Sequence, residues 1–168
     1  MLRTHNCGEL TDKDLHKKVE LCGWVQTRRD HGGVIFIDLR DRYGLSQVIF
    51  DPSHNKETHK EAERIGREWV LRVVGTVRPR KEGMENPRMH TGKIEIISDS
   101  LEILSKSKTP PFEIDEDAVI SEELRLKYRY LDLRRTNIQK YFLIRHKAYQ
   151  AVREYLSSNG FLEVETPM

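Results

Sequence analysis

Three closely spaced segments of β-forming residues in the first third of the chain most strongly constrain its fold. They are residues 19–28, 34–40 and 45–51, and the two connectors between them are only a few residues long. Both connectors contain Gly and Asp, which supply the positive φ angles and the side-chain caps of tight hairpin turns. The sequence therefore predicts three antiparallel strands in direct succession.

The alternation of side chains along the second and third segments predicts which face of the sheet is free. Successive residues of a strand point to opposite faces, and the purely aliphatic face of the second segment is formed by Ile35, Ile37 and Leu39. If that face is the core, Phe36 stands outside. Burying Val48 and Phe50 turns Gln47 outward as well, where it could lie beside Phe36. An outward ring, an amide and nearby arginines suit a surface that binds single-stranded nucleic acid; the reversed parity would make Phe36 a core residue.

The order of the later elements predicts a mainly β fold built on a five-stranded OB-fold barrel. A helix is predicted over residues 55–67, a fourth strand over 69–78 and a fifth over 93–104, with Glu95 on its outer face. Three strands, a helix and two strands is the order of an OB-fold. SH3-like barrels are the alternative, and the helix after the third strand favours OB. The long loop 79–92 is a candidate functional loop.

A change of composition after residue 104 predicts a second region. Residues 105–118 contain a Pro pair and an acidic run, which is typical of a linker or hinge. Ser121 is predicted to cap a helix that ends near residue 131, and Thr136 to cap a longer helix that ends near residue 158. Gly160 is predicted to end that helix in a left-handed conformation, and a strand is predicted at 161–164.

The longer helix carries an apolar stripe that needs something to bury against. Its members recur every three or four positions and are Ile138, Tyr141, Ile144, Ala148, Val152 and Tyr155. A long amphipathic helix and one strand do not make a domain, so we expect the chain to be cut from a longer protein. The predicted division is an OB-fold domain at 1–104, a linker and hinge at 105–135, and the start of a truncated α/β domain at 136–168.

Composition argues against several functions. The 168 residues carry 29 basic and 27 acidic side chains, a net charge of +2, which argues against a nonspecific polybasic binder. Cys7 and Cys22, in a sequence that shows no signal peptide, indicate reduced thiols in a cytoplasmic protein. The Cys and His spacings predict no metal site. Every apolar run is shorter than the roughly 20 residues of a membrane helix, so no membrane partner is predicted.

Several segments resemble one known family. Leu-Cys-Gly-Trp-Val at 21–25, Ile-Phe-Ile-Asp-Leu-Arg-Asp-Arg at 35–42 and Gln-Val-Ile-Phe-Asp-Pro at 47–52 resemble the anticodon-binding barrel of bacterial-type aspartyl-tRNA synthetases. The run 125–135, Arg-Leu-Lys-Tyr-Arg-Tyr-Leu-Asp-Leu-Arg-Arg, is similar to the hinge of that family. The segment 160–167 is similar to class II synthetase motif 1, which builds the dimer interface in that family. The resemblance covers nearly the whole chain.

The resemblance implies an aspartate–tRNA ligase, which activates aspartate with ATP and Mg²⁺ and transfers it to tRNA. It implies tRNA(Asp) as the partner and a homodimer formed through motif 1, which makes residues 136–168 the start of the catalytic domain. The family's motifs 2 and 3, which bind ATP and the adenylate, have no match in this sequence. No catalytic residue is therefore assigned, and the chain alone is expected to be inactive.

The family's anticodon-binding residues match seven positions. In the family the aromatic residue stacks on the middle anticodon base, a uracil, the Gln hydrogen-bonds to that base, and the acid binds the first base. The matching positions are Arg29, Phe36, Gln47, Arg78, Arg80, Asn86 and Glu95. His31 and Gly83 resemble members that also charge tRNA(Asn), so the resemblance admits tRNA(Asn) as a second partner.

Other interpretations stay open on the sequence alone. The barrel could bind single-stranded nucleic acid without anticodon preference, belong to a lysine or asparagine synthetase, or serve as an interaction domain. The cluster at 125–135 is either a tRNA contact or a set of surface ion pairs. Asp38 and Asp41 are interpreted as structural ion pairs rather than acid–base catalysts. Trp24 is predicted in the core through a bulge at Gly23.

Overall fold

The computed structural model describes residues 2–114 and 118–167, and the chain divides into two units, Met1–Pro110 and Pro111–Met168. The first unit contains the five predicted strands, and the second contains the long predicted helix. The acidic residues 115–117 of the predicted linker and the last residue of the chain lie outside the described residues.

The first unit is a closed five-stranded barrel, which confirms the predicted OB-fold. Its strands are β1 (Lys18–His31), β2 (Val34–Asp41), β3 (Gly44–Phe50), β4 (Val70–Pro79) and β5 (Ile94–Ser105). They are hydrogen-bonded in the order β1-β2-β3-β5-β4. Closure comes from antiparallel pairing of β1 with β4 and from a short parallel pairing of β3 with β5.

Tight turns connect the first three strands, as their sequences predict. Gly32 and Gly33 join β1 to β2 with φ angles of 62° and 80°, the two positive values that a two-residue hairpin requires. Between β2 and β3, the carboxylate of Asp41 accepts hydrogen bonds from the backbone N–H of Tyr43 at 2.7 Å and of Gly44 at 3.1 Å. The residues within each turn therefore determine its geometry.

The aliphatic face of β2 is the core, as the alternation predicts. Ile35, Ile37 and Leu39 are fully buried, as are Val48 and Phe50 of β3. The intervening residues of β2 are half-buried on the outer surface of the barrel. The alternative alternation, in which Phe36 would be a core residue, is thereby excluded.

Trp24 does not lie in the core, so its predicted position is wrong. The irregularity in the β1–β2 pairing falls between Val25 and Thr27, beyond the predicted position at Gly23. Simple alternation therefore holds as far as Val25, and Trp24 is half-buried on the outer face. Gly23 serves a different purpose: a Cβ atom there would lie 2.5 Å from the carbonyl oxygen of Arg40 on β2.

The helix between β3 and β4 is shorter than predicted. It is α1 (Lys56–Ala62), and the side chain of Asn55 caps it by accepting hydrogen bonds from the next turn. The predicted residues up to 67 are not helical: the helix ends with Glu63 as its C-cap, and Ile65 beyond it is buried in the barrel core. Gly66 packs so closely on Trp69 that a Cβ atom would lie 2.8 Å from the indole nitrogen.

The second unit contains α2 (Glu122–Lys127), α3 (Arg129–Asp132) and α4 (Thr136–Ser158). The single helix predicted from 121 to about 131 is interrupted at Tyr128, which has φ −114° and ψ 47°. Thr136 lies inside α4 rather than capping it. Gly160 has the predicted positive φ, 83°. The predicted strand at 161–164 does not form among the described residues, since a strand needs a hydrogen-bonding partner.

A buried carboxylate organises the first two of these helices. Asp132 is fully buried and contacts Arg125 at 3.0 Å, Arg135 at 3.6 Å and also Arg129. Burial alone would raise the pKa of Asp132, but hydrogen bonds and charge from Arg125, with the charge of Arg129, hold it below its ordinary value. At this position the cluster consists of structural ion pairs rather than free arginines.

Replacing core and surface phenylalanines should separate the two faces of the barrel. We expect Phe50→Ala to lower the free energy of unfolding by about 3–5 kcal/mol, because it leaves a cavity in the core. Phe36→Ala should cost about 1 kcal/mol or less. Both tryptophans lie in the first unit, so urea unfolding followed by their fluorescence reports on the barrel. Equal losses would place Phe36 in the core.

Removing the buried carboxylate should loosen α2 and α3. We expect Asp132→Asn to lower the hydrogen-exchange protection of the amides at 122–135, because three arginines lose their common partner. Glu163→Gln is the control, since Glu163 pairs with Arg153 in solvent. The folded-state pKa of Asp132 is depressed, so its stabilisation is present above the ordinary aspartate value of about 4 and is lost at lower pH. Wild-type protection that persists in acid would contradict this role.

Candidate nucleic-acid interface

A cavity of about 570 Å³ opens on the outer surface of the barrel. All five strands and the beginning of the β4–β5 loop contribute to its wall. Among the residues predicted to bind the anticodon, those that line it are Arg29, Phe36, Gln47, Arg78, Arg80 and Glu95. Side chains separated by up to 66 positions in the sequence therefore surround one space.

Phe36 forms the aromatic part of the cavity. It lies on the outer face of β2, paired with Arg29 on β1 and with Ile49 on β3. The His31 ring meets its edge, with centroids 6.0 Å apart and planes at 60°. The phenyl ring is half-buried and lines the cavity, so a planar group inside can stack on it.

Gln47 lies on the predicted face but is not exposed. It pairs with Asp38 across β2 and β3, diagonal to Phe36, and it is only 6% exposed. Its Oε1 accepts a hydrogen bond from Arg29 Nη2 at 3.3 Å, and its Nε2 donates to Glu95 Oε2 at 3.1 Å. The long side chains of its neighbours cover the amide, which alternation alone does not reveal.

Glu95 is likewise on the outer face of β5 and likewise buried, at 6% exposure. Besides the bond from Gln47, it accepts a hydrogen bond from Arg78 Nε at 2.9 Å. The two residues are directly paired between β4 and β5. The carboxylate thus ties strand β4 to β3 across the fifth strand.

The carboxylate of Asp38 forms a structural ion pair, as predicted. Its partner is Arg29 on the neighbouring strand and not Arg40, which is close to it in the sequence. Its carboxylate binds Arg29 Nη2 at 2.8 and 3.0 Å and also accepts a hydrogen bond from Thr27. Arg40, two residues further along, pairs with Glu68 at 2.8 Å. Cross-strand neighbours, rather than residues adjacent in sequence, determine these pairs.

Arg80 brings a buried guanidinium to the cavity wall. It is 9% exposed, its Nε donates to the carbonyl of Ile94 at 3.1 Å, and its Nη2 contacts the sulfur of Met89 at 3.7 Å. Burial lowers the pKa of Arg80, an effect opposed by the charge of Glu95. Since no carboxylate of the described residues pairs directly with it, this cation can bind an acceptor group of a ligand.

Two predicted residues lie outside the cavity lining. Asn86 stays within the β4–β5 loop, where its Oδ1 accepts from the backbone N–H of Arg88 at 3.0 Å. Gly83 lies at a φ of 79° with open space around it. His31 does line the cavity. The roles of all these residues in binding stay predictions.

Sequence reasoning missed other residues of the lining. Lys81 and Met84 enter it from the β4–β5 loop, and Asp51 from the end of β3. The basic composition of the β4–β5 loop was the one signal in the sequence that could have indicated Lys81. A loop has no regular side-chain alternation, so the sequence does not predict which of its residues face the cavity. Four cations and two carboxylates line the cavity, so it is positive although the chain carries a net charge of only +2. Such a surface suits a polyanion.

Residues 2–114 and 118–167 contain no group of three or more His, Cys, Asp or Glu side chains arranged to hold a metal ion. None of their helices is both long and apolar enough to cross a membrane. Cys7 and Cys22 are free thiols, and burial raises the pKa of both.

Two family models match the chain, one within each of its two units. Residues 19–104, just over half of it, match the OB-fold nucleic acid binding domain. Residues 121–168 match the class II tRNA synthetases of the D, K and N group. The first match covers all but the outermost residues of the five strands, and all the residues that line the cavity.

The chain is similar to longer curated proteins. It is 56% identical over 168 residues to the aspartate–tRNA(Asp/Asn) ligase of Desulfatibacillum aliphaticivorans and 54% identical over 167 residues to that of Protochlamydia amoebophila. It spans 28% of the length of each and is itself matched over 100% and 99%. Asparaginyl-tRNA synthetase from Pyrococcus horikoshii, solved with asparaginyl-adenylate, has a TM-score of 0.83 at 30% identity, over 99% of this chain and 37% of that one.

Proposed function

Because this chain belongs to the family of OB-fold nucleic acid binding domains and continues into the class II tRNA synthetase family, we propose that its barrel binds a tRNA anticodon within an aspartate–tRNA ligase. The partner is tRNA(Asp). The names of its relatives, which are aspartate–tRNA(Asp/Asn) ligases, support tRNA(Asn) as a second partner. We propose that His31, whose ring centroid lies 6.0 Å from that of Phe36, takes part in that choice.

The observation that carries the proposal is the ring of Phe36 on the cavity surface, surrounded by cations. Single-stranded RNA is bound by stacking its unpaired bases on aromatic rings and by placing its phosphates near basic groups. Arg29 and Arg80 line the same cavity as the ring, and each keeps N–H groups that bond to none of the described residues. A cavity of about 570 Å³ has room for a splayed base with its sugar.

The chemistry of the whole protein belongs to this proposal as well. The ligase would activate aspartate with ATP and Mg²⁺ in the cytoplasm and transfer it to the 3′ end of the tRNA. None of the described residues is assigned to bind ATP or Mg²⁺, and the chain alone is expected not to catalyse the reaction. The exposed apolar side chains of α4, together with residues 160–167, are proposed to contribute to a homodimer of the longer protein.

Removing the stacking ring tests the proposal. We expect Phe36→Ala to weaken binding of the full chain to an anticodon stem-loop with the sequence GUC by about tenfold or more, since a stacked base is worth about 1–3 kcal/mol. Phe36→Trp should retain binding. Tyr43→Ala is a matched control, because Tyr43 is 52% exposed on the β2–β3 turn and does not line the cavity. Fluorescence anisotropy with labelled stem-loops gives the dissociation constants.

The same titration separates the alternatives. Equal affinity for the GUC stem-loop and for unrelated single strands would indicate a general nucleic acid binder. Preference for the lysine anticodon would indicate a different synthetase. Wild-type affinity in Phe36→Ala would remove the ring from the binding surface.

A further inference from the structure

The beginning of the β4–β5 loop forms a rim on the cavity, and we propose that this rim binds the sugar–phosphate backbone of the RNA strand whose base stacks on Phe36. The rim consists of Lys81 and Met84, which both line the cavity. Lys81 binds a phosphate, and Met84 packs against the adjoining ribose. The inference rests on the proposed function, since it concerns the strand that brings an anticodon base into the cavity.

A single β-turn places the two side chains of the rim together. The backbone N–H of Met84 donates to the carbonyl of Lys81 at 2.9 Å, and Gly83, at the third position of the turn, has a φ of 79°. A positive φ at that position is typical of a type II turn. The Cα atoms of the first and fourth residues of a turn lie within about 7 Å of each other. Lys81 and Met84 therefore reach the cavity side by side.

The rim is fixed to the end of the barrel. The backbone N–H of Arg80 donates to the carbonyl of Lys93 at 2.9 Å, which extends the β4–β5 pairing to the residue just before the turn. The Arg80 side chain is buried and donates to the carbonyl of Ile94. Because its neighbour is held by both backbone and side chain, Lys81 starts from a fixed point, while its flexible stem can follow a ligand.

The ammonium of Lys81 is exposed and has no carboxylate partner among residues 2–114 and 118–167. Two other cations of the cavity, Arg29 and Arg78, are each paired with a carboxylate, at 2.8 and 2.9 Å. The loop acids Glu82 and Glu85 do not line the cavity, so a phosphate inside it meets the ammonium rather than their carboxylates. A compact point charge of this kind suits a phosphate better than a base edge.

Met84 adds an apolar surface to the rim. It is 69% exposed although it lines the cavity. An exposed apolar side chain beside an aromatic ring marks a surface that binding can cover. Its unbranched thioether adapts to a sugar or a ring without requiring a hydrogen bond. The contribution of Met84 to binding should therefore be independent of salt, whereas that of Lys81 should not.

The salt dependence of binding tests the part assigned to Lys81. Each phosphate contact to a single strand contributes about 0.7 to the slope of log K against log salt concentration. We expect Lys81→Gln to weaken binding of the full chain to the GUC stem-loop by about threefold or more at about 50 mM salt and to reduce that slope by about 0.7. Lys81→Arg should keep both values. Lys60→Gln is the control, because Lys60 is exposed on α1 and does not line the cavity.

A second stem-loop with another anticodon separates backbone from base. A phosphate carries no sequence information, so Lys81→Gln should lower the affinity for both stem-loops by the same factor.

Replacing Met84 tests the apolar part of the rim. We expect Met84→Asn to weaken binding by about threefold and to leave the salt slope at its wild-type value, because no charge is removed. Met84→Leu should keep the wild-type affinity. Leu2→Asn is the control, because Leu2 is 61% exposed and lies outside the cavity. Since both rim residues are exposed, tryptophan fluorescence in urea should show wild-type unfolding for every variant.

The outcomes separate the rim from the proposed function. A wild-type slope in Lys81→Gln would overturn the phosphate contact, and a loss confined to the GUC stem-loop would assign Lys81 to a base instead. Wild-type affinity in Met84→Asn would remove the apolar contact. Both results leave anticodon binding standing if Phe36→Ala still weakens it. A wild-type chain without preference for the GUC stem-loop would overturn anticodon recognition, and a reduced slope in Lys81→Gln would then still support the rim.

Discussion

The short parallel pairing of β3 with β5 is the contact on which the cavity depends. It joins Val48 to Ile96 and Ile49 to Ile97 and closes the barrel. The residues just before these pairs, Gln47 and Glu95, then lie side by side on the outer surface and form a hydrogen bond. Without this pairing, Gln47 and Glu95, which are 48 positions apart in the sequence, would not be neighbours.

Charge within the cavity is compensated unevenly. Asp38 and Glu95 pair with Arg29 and Arg78, which holds these cations in place and reduces their net field. Among residues 2–114 and 118–167, Arg80 has no carboxylate partner, so its positive charge at the cavity wall is not neutralised by a direct ion pair. The structure therefore combines a rigid polar floor with a local attraction for anions, although the chain as a whole is close to neutral.

Several features were predicted from the sequence because they depend on neighbouring residues. Alternation assigned Ile35 and Phe36 to opposite faces, and Gly32 with Gly33 predicted the first hairpin. Predictions failed where distant contacts compete with local preference. Tyr128 interrupts a helix beside the ion pairs of the buried Asp132, and α1 ends before Ile65, which packs in the barrel core.

Local pattern was sufficient for the strands, their faces and the outward ring of Phe36, because strand alternation and turn chemistry act over a few residues. The burial of Gln47 and Glu95, the partner of Asp38 and the position of Arg80 came only from the folded barrel. These properties depend on which strands become neighbours, and barrel closure decides that through contacts between residues far apart in the chain. The aromatic ring was thus visible in the sequence, and the polar network beneath it was not.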